Sequence, residues 1–205
     1  MSHTMYVWRK LTDSQRQELL RWRRQSRNPW HSPPHREGDS GRYLITAACF
    51  EHQPVIGSSV ERMATFATTL LKVFETSHAP VHAWVVLPNH YHVLADTRDV
   101  LGLLKEIGLL HGRSSHQWNG EEDRHGRQVW CRAAETSMKS ERHFWAALNY
   151  VHHNPVRHGY ARLWLEWPFS SAADYLDAVG REHAQQVWKE CPVLDFGKDW
   201  DAPEM

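Results

Sequence analysis

The chain has 205 residues, 24 basic and 24 acidic side chains, 41% hydrophobic and 23% charged residues, the make-up of one folded domain with appendages and not of a disordered or fibrous chain. No apolar run approaches the roughly 18 residues that a membrane helix needs, and the start has no apolar core of the signal-peptide type. Cys49, Cys131 and Cys191 are odd in number, far apart and form no CxxC, so a disulfide framework and a cysteine-rich zinc site are unexpected and a reducing cytoplasm is favoured.

Zero net charge hides a gradient: +5 over residues 1–42, 0 over 43–160 and −5 over 161–205. Residues 1–41 read as a basic arm suited to a polyanion. Within it TDSQRQELLRWRRQ predicts a short helix with Thr12 or Asp13 as N-cap, and the prolines and glycines of NPWHSPPHREGDSG end regular structure. RYLITAACF (42–50) predicts a strand, and the apolar spacing of 58–77 predicts a helix. VHAWVVLP (81–88) and HYHVLADT (90–97) predict two strands joined at Pro88-Asn89, hence paired antiparallel.

Residues 98–111 carry helical periodicity that can continue to Trp118. A polar loop (119–126) and a strand candidate, QVWCRAA (128–134), follow. SERHFWAALNYVHHN (140–154) predicts a helix capped by Ser140 and stopped by Pro155. After Gly159 come a loop and a short helix, inside an acidic extension covering 161–205. The order β-α-β-β-α-β plus one helix predicts an α+β, ferredoxin-like split βαβ fold over 42–160, with helices on one face of an antiparallel sheet.

Two constellations carry chemistry. Alternate strand residues share a face, so His90 and His92 leave the sheet together while Tyr91 points away. Two imidazoles on one face make part of a metal site. On the last helix, positions i, i+3 and i+4 share a face, which groups Tyr150, His153 and Asn154. That sets a nucleophile beside a carboxamide ligand. The commoner fate of a tyrosine is a half-buried ring with its hydroxyl in water.

LPNHYHVL on the third strand and LNYVHHNPVRHG on the last helix together resemble the single-tyrosine HUH transposases, and more narrowly the REP-associated tyrosine transposases. The likeness runs from Tyr43 to about Leu176, including WPFSSAADYL, and the arm motif RKLTDSQRQELL…PWHSPPH resembles one branch of that group. HxH alone is weak; the two motifs at this separation are specific.

The resemblance implies that His90, His92 and Asn154 hold a divalent cation, Mg²⁺ or Mn²⁺, and that Tyr150 is the nucleophile. It implies cleavage of single-stranded DNA beside a hairpin through a 5′-phosphotyrosine link. An unperturbed phenol has a pKa of ~10 and needs help to attack phosphorus, which a cation on the phosphate supplies.

Arg132, Arg142, Arg157, Trp130 and His158 are weaker candidates for phosphate or base contact, and Arg21, Arg23, Arg24 and Arg27 of the arm for gripping a duplex stem. CRAAETSMKS departs from the more aromatic stretch of relatives at Ala133 and Ala134, which bears on substrate grip. Two other readings stay open: a catalytically silent hairpin-binding protein, and a zinc hydrolase using His90, His92 and a third histidine such as His153. Monomer and homodimer are both left open.

Overall fold

The computed structural model describes residues 41–193, with Thr12 and Ser14 besides. The arm helix, Arg21, Arg23, Arg24 and Arg27, and the end of the acidic extension lie outside the described residues. Residues 41–193 fall in one compact unit.

Strands β1 (Arg42–Ala48), β2 (Val81–Val86), β3 (His90–Asp96) and β4 (Ala134–Ser137) make a single sheet in the order β2-β3-β1-β4. Every neighbouring pair is antiparallel. Helices α1 (Val60–Thr76) and α2 (Val100–Glu121) follow β1 and β3, α3 (Glu141–Arg157) follows β4, and α4 (Ala172–Val179) and α5 (Arg181–Glu190) come last. This is the predicted split βαβ order. No helix among the described residues is long and apolar enough to cross a membrane.

Strand alternation divides the core. Tyr43, Ile45, Ala47, Tyr91 and Val93 pack with Phe66, Leu70, Leu103 and Ile107 of α1 and α2. Leu44, Val85 and Leu94 pack with Phe144, Ala147, Leu148 and Val151 of α3. Helices therefore cover both faces, where the sequence predicted one. The reason is that the sheet is apolar on its second face as well, through Leu44, Val85 and Leu94, and β3 is buried along nearly its whole length: a sheet with apolar side chains on both faces needs cover on both.

Local signals set most helix starts. Ser59, Asp99 and Ser140 each accept a hydrogen bond from the backbone N–H three residues on, capping α1, α2 and α3. Three boundaries differ from expectation. First, α2 runs on into the predicted polar loop as far as Glu121. Second, α3 passes through Pro155 to Arg157. A proline there costs one helical hydrogen bond, yet Asn154 and Pro155 are both buried, and packing offsets the loss.

The α3 helix ends instead on Gly159 at φ 72. The Tyr160 N–H donates to Pro155 O and the Gly159 N–H to Val156 O, the paired bonds of a Schellman stop. Third, β4 lies at Ala134–Ser137 and not at 128–134. Residues 128–131 run beside the end of β1, with the Cys131 N–H donating to Ala48 O. Trp130 turns into the core, stacking on His111 at 4.1 Å and donating to Ser114 Oγ at 3.0 Å. The polar AETS segment can serve as an edge strand because its backbone alone makes the ladder. Helix α5 was not anticipated; it packs on α3 and α4.

The turn before β3 is clamped. Gly57 N–H donates to Pro88 O at 2.9 Å, and Cys49 N–H to Asn89 O at 2.7 Å. A Cβ on Gly57 would stand 2.4 Å from Pro88 Cβ and 2.8 Å from its Cα. Gly57→Ala should therefore cost about 1–3 kcal/mol by overpacking. Urea denaturation checks this, and a loss under about 0.5 kcal/mol would show that the turn yields freely.

Two buried histidines make stability depend on pH. Burial pushes the pKa of His111 and of His152 down to about 3, with His153 adding to the effect on His152. In the unfolded chain both take a proton near pH 6.5. Between these values the unfolded state binds more protons, so their contribution is complete above about pH 6.5 and is lost as pH falls towards 3. Each contributes at most about 1.4 kcal/mol per pH unit. Unfolding free energy should drop by about 2–4 kcal/mol from pH 7 to pH 5, read by urea titration at both. A flat profile would contradict the buried neutral state.

Candidate active site

His90 and His92 leave β3 on the α3 side, and Tyr91 leaves on the other, where its hydroxyl meets His111 Nε2 at 3.0 Å. The predicted alternation holds. Across the sheet, β1 sets Thr46 opposite His92 in register, and Thr46 Oγ1 lies 2.8 Å from His92 Nδ1. The turn supplies the matching group for His90: Asn89 Oδ1 is 2.7 Å from His90 Nδ1. The Asn89 amide donates through Nδ2 to His52 O at 3.3 Å, which leaves Oδ1 as the acceptor for a His90 Nδ1–H. Both imidazoles are thus held at Nδ1 and present Nε2 inward, the arrangement by which supporting groups orient ligating histidines.

Helix α3 brings the other two residues. The Tyr150 hydroxyl lies 3.1 Å from His92 Nε2, with ring centroids 4.9 Å apart. Asn154 Oδ1 lies 3.0 Å from His90 Nε2. His90, His92, Tyr150 and Asn154 are each at most 3% exposed. The tyrosine is therefore enclosed and hydrogen-bonded, not half-exposed with its hydroxyl in water. With His90 Nδ1 donating, its Nε2 carries a lone pair, and that lone pair faces the lone pairs of the Asn154 oxygen. A proton or a cation between them makes such a contact favourable. Two imidazole nitrogens and an amide oxygen suit a divalent cation that keeps open positions.

His153 does not join this group. Its ring packs on Trp188, 3.9 Å between centroids, on another side of α3. Among the described residues no three His, Cys, Asp or Glu side chains are grouped to hold a metal, so the three-histidine zinc arrangement with His153 is not formed. Trp130, a candidate for base stacking, is a core residue, 8% exposed.

Of the arginine candidates, Arg132, Arg142 and Arg157 are all exposed. They do not form one patch. Arg142 and Arg157 stand at opposite ends of α3, about 22 Å apart at 1.5 Å per residue. Arg157 is beside the site: His158, next to it, has its ring centroid 4.9 Å from that of His90. The ring centroid of His52 lies 6.3 Å from that of His90. Thr46, Asn89 and His52 were not singled out from the sequence. A lone polar residue inside the apolar run YLITAA was the available signal for Thr46.

No protein-family model and no curated protein matches the chain. Among solved structures, a REP-associated tyrosine transposase bound to a REP hairpin is similar over 85% of this chain and 98% of its own, with a TM-score of 0.56 and 20% identity. The chain has the fold of a REP-associated tyrosine transposase. A candidate transposase from Deinococcus radiodurans R1 is more distant, matching 58% of this chain and 97% of its own at a TM-score of 0.38 and 14% identity.

Proposed function

We propose that the chain is a REP-associated tyrosine transposase that binds hairpin DNA and nicks and rejoins its single-stranded flank. In this reading Tyr150 is the nucleophile, and His90, His92 and Asn154 hold Mg²⁺ or Mn²⁺. The observation that carries it is the convergence, inside one buried cluster, of a tyrosine hydroxyl, two inward-facing Nε2 atoms and an amide oxygen drawn from β3 and α3. The fold of the solved transposase supports it, as does that protein's REP hairpin.

The residues divide the work as follows. Thr46 and Asn89 hold each imidazole at Nδ1, so both Nε2 atoms stay available. His92 Nε2 serves one partner at a time: while Tyr150 donates to it, the hydroxyl is retained in the site. When Nε2 is engaged elsewhere, the hydroxyl is released towards a phosphate. The Tyr150 oxygen then bonds to phosphorus as the P–O3′ bond breaks, the phenolic proton passes to solvent, and the departing 3′-oxygen takes a proton. A bound Mg²⁺ or Mn²⁺ supplies polarisation of the scissile phosphate. The phosphotyrosine conserves the phosphodiester bond energy, so a 3′-hydroxyl can reverse the step without a nucleotide cofactor. Exposed Arg157 and the half-buried His158 stand where a strand entering the site would pass.

The test is incubation of the full chain with labelled hairpin oligonucleotides carrying single-stranded flanks, with Mn²⁺, followed by a denaturing gel. A labelled band at the mass of protein plus DNA is expected. Binding without any adduct across a panel of flanks would instead assign a silent hairpin-binding protein.

A further inference from the structure

Helix α3 delivers two side chains to the site, and its roll about its own axis decides where they arrive. At about 100° per residue, Phe144, Ala147, Leu148 and Val151 form the stripe that rests on the sheet. Tyr150 and Asn154 fall on one flank of that stripe and His152 on the other. Apolar packing is non-directional, so the stripe sets the height of the helix above the sheet more firmly than its roll. A roll of about 10° carries a phenolic oxygen, roughly 8 Å from the helix axis, through about 1.4 Å. The contacts at the site do not resist this throughout. On the reading above, Tyr150 leaves His92 during the reaction, and Asn154 and His90 set lone pair against lone pair.

The opposite flank is tied to the sheet. Residues 169–171 run beside β2, the Val86 N–H donating to Phe169 O at 2.8 Å and the Ser171 N–H to Trp84 O at 3.0 Å. Val85 pairs with Ser170 between them. The Ser171 side chain makes the next link. Its Oγ accepts from the Trp84 N–H at 2.9 Å and lies 3.0 Å from His152 Nε2. His152 is 1% exposed and Ser171 9%, a setting in which such a bond is stronger than in water. The backbone of β2, Ser171 and His152 thus form one chain of hydrogen bonds from the sheet to α3, and hydrogen bonds have preferred directions.

We propose that Ser171 and His152 are positioning residues: they set the roll of α3 from the flank opposite the site, and with it the place at which Tyr150 and Asn154 meet His92 and His90. The effect on rate rests on the Tyr150 reading; the effect on helix placement does not.

Single-turnover adduct formation is measured at saturating hairpin DNA and Mn²⁺ for Ser171→Ala, for His152→Gln and for His152→Phe, which keeps a ring against Tyr175. Ser171→Ala and His152→Phe should each slow it about tenfold, since a misplacement of about 1 Å costs up to ~10²-fold. Hairpin affinity should stay within about twofold of wild type. The double variant should be no slower than the slower single one, because both remove the same bond. His152→Gln keeps a hydrogen-bonding group and should recover most of the rate. Val73→Ala, in the core cluster on the other face of the sheet, controls for lost stability and should react at the wild-type rate.

A second readout needs neither metal nor DNA. In urea titrations, the drop in folding constant caused by Tyr150→Phe should be at least about threefold smaller in a Ser171→Ala background, where the hydroxyl no longer meets His92 squarely; independent sites would add. Wild-type rates in both Ser171→Ala and His152→Phe, or strict additivity in urea, would overturn the proposal. If His152→Phe does not fold, Ser171→Ala, which removes one oxygen, carries the test. A wild type that forms no adduct removes the Tyr150 reading, and the urea cycle then decides the placement of α3.

Discussion

Replacing Tyr150 by phenylalanine is expected to abolish both strand cleavage and the covalent protein–DNA adduct, a rate loss of at least about 10⁴-fold, while hairpin binding stays within about 1 kcal/mol of wild type. The substitution removes a single oxygen. The ring remains in the apolar cluster with Leu148 and Val151, so the fold survives. The hydroxyl's loss leaves His92 Nε2 without the Tyr150 partner at 3.1 Å, a stability cost of about 0.5–1.5 kcal/mol. A structural role predicts that small stability loss with normal cleavage. A nucleophile predicts the same small loss with no adduct. Denaturing gels and urea titration on one variant separate the two, and a Tyr150→Phe protein that still nicks DNA at the wild-type rate sinks the proposed mechanism.

His92→Ala is expected to be the second most damaging change, with cleavage lowered by about 10²–10³-fold at ordinary Mn²⁺ and partly restored as Mn²⁺ is raised. The imidazole is wholly buried and joins two hydroxyls, Thr46 Oγ1 at 2.8 Å and Tyr150 at 3.1 Å. On the proposed reading, removing it forfeits a ligand; it also takes the imidazole partner from both hydroxyls, and a buried hydroxyl left unsatisfied costs about 1–3 kcal/mol. Thr46→Val separates these effects, since it keeps the imidazole and removes only its Nδ1 support. Losing such a supporting partner typically costs 10–100-fold in metal affinity or activity. Cleavage by Thr46→Val should therefore fall between wild type and His92→Ala, with a raised Mn²⁺ requirement. If Mn²⁺ dependence is identical in all three proteins, His92 is not a ligand.

The most legible parts of this protein were those governed by short-range geometry. A period of two along HYHVLAD is enough to set His90 and His92 on one face and Tyr91 on the other, whatever the sheet packs against. Ser140 could be read as a helix cap because capping involves only the next three residues. The tight spacing around Pro88-Asn89 forced an antiparallel pair for the same reason.

What the tertiary structure alone decided is where those local pieces meet. At about 100° per residue, Asn154 lies about 40° to one side of Tyr150 on α3 and His153 about 60° to the other. Both share its face by spacing. The line of contact with the sheet chose Asn154, while His153 went to Trp188. Thr46 supports His92 only because β1 pairs with β3 in that register, a relation between residues 46 apart that no local pattern encodes. Trp130 joined the core, and β4 moved to a polar edge segment, because ring packing against Phe66 and His111 outweighed strand propensity in QVWCRAA. Periodicity fixes directions within one element; contact between elements depends on which faces the whole chain must bury, and that is settled only when the sheet is covered on both sides.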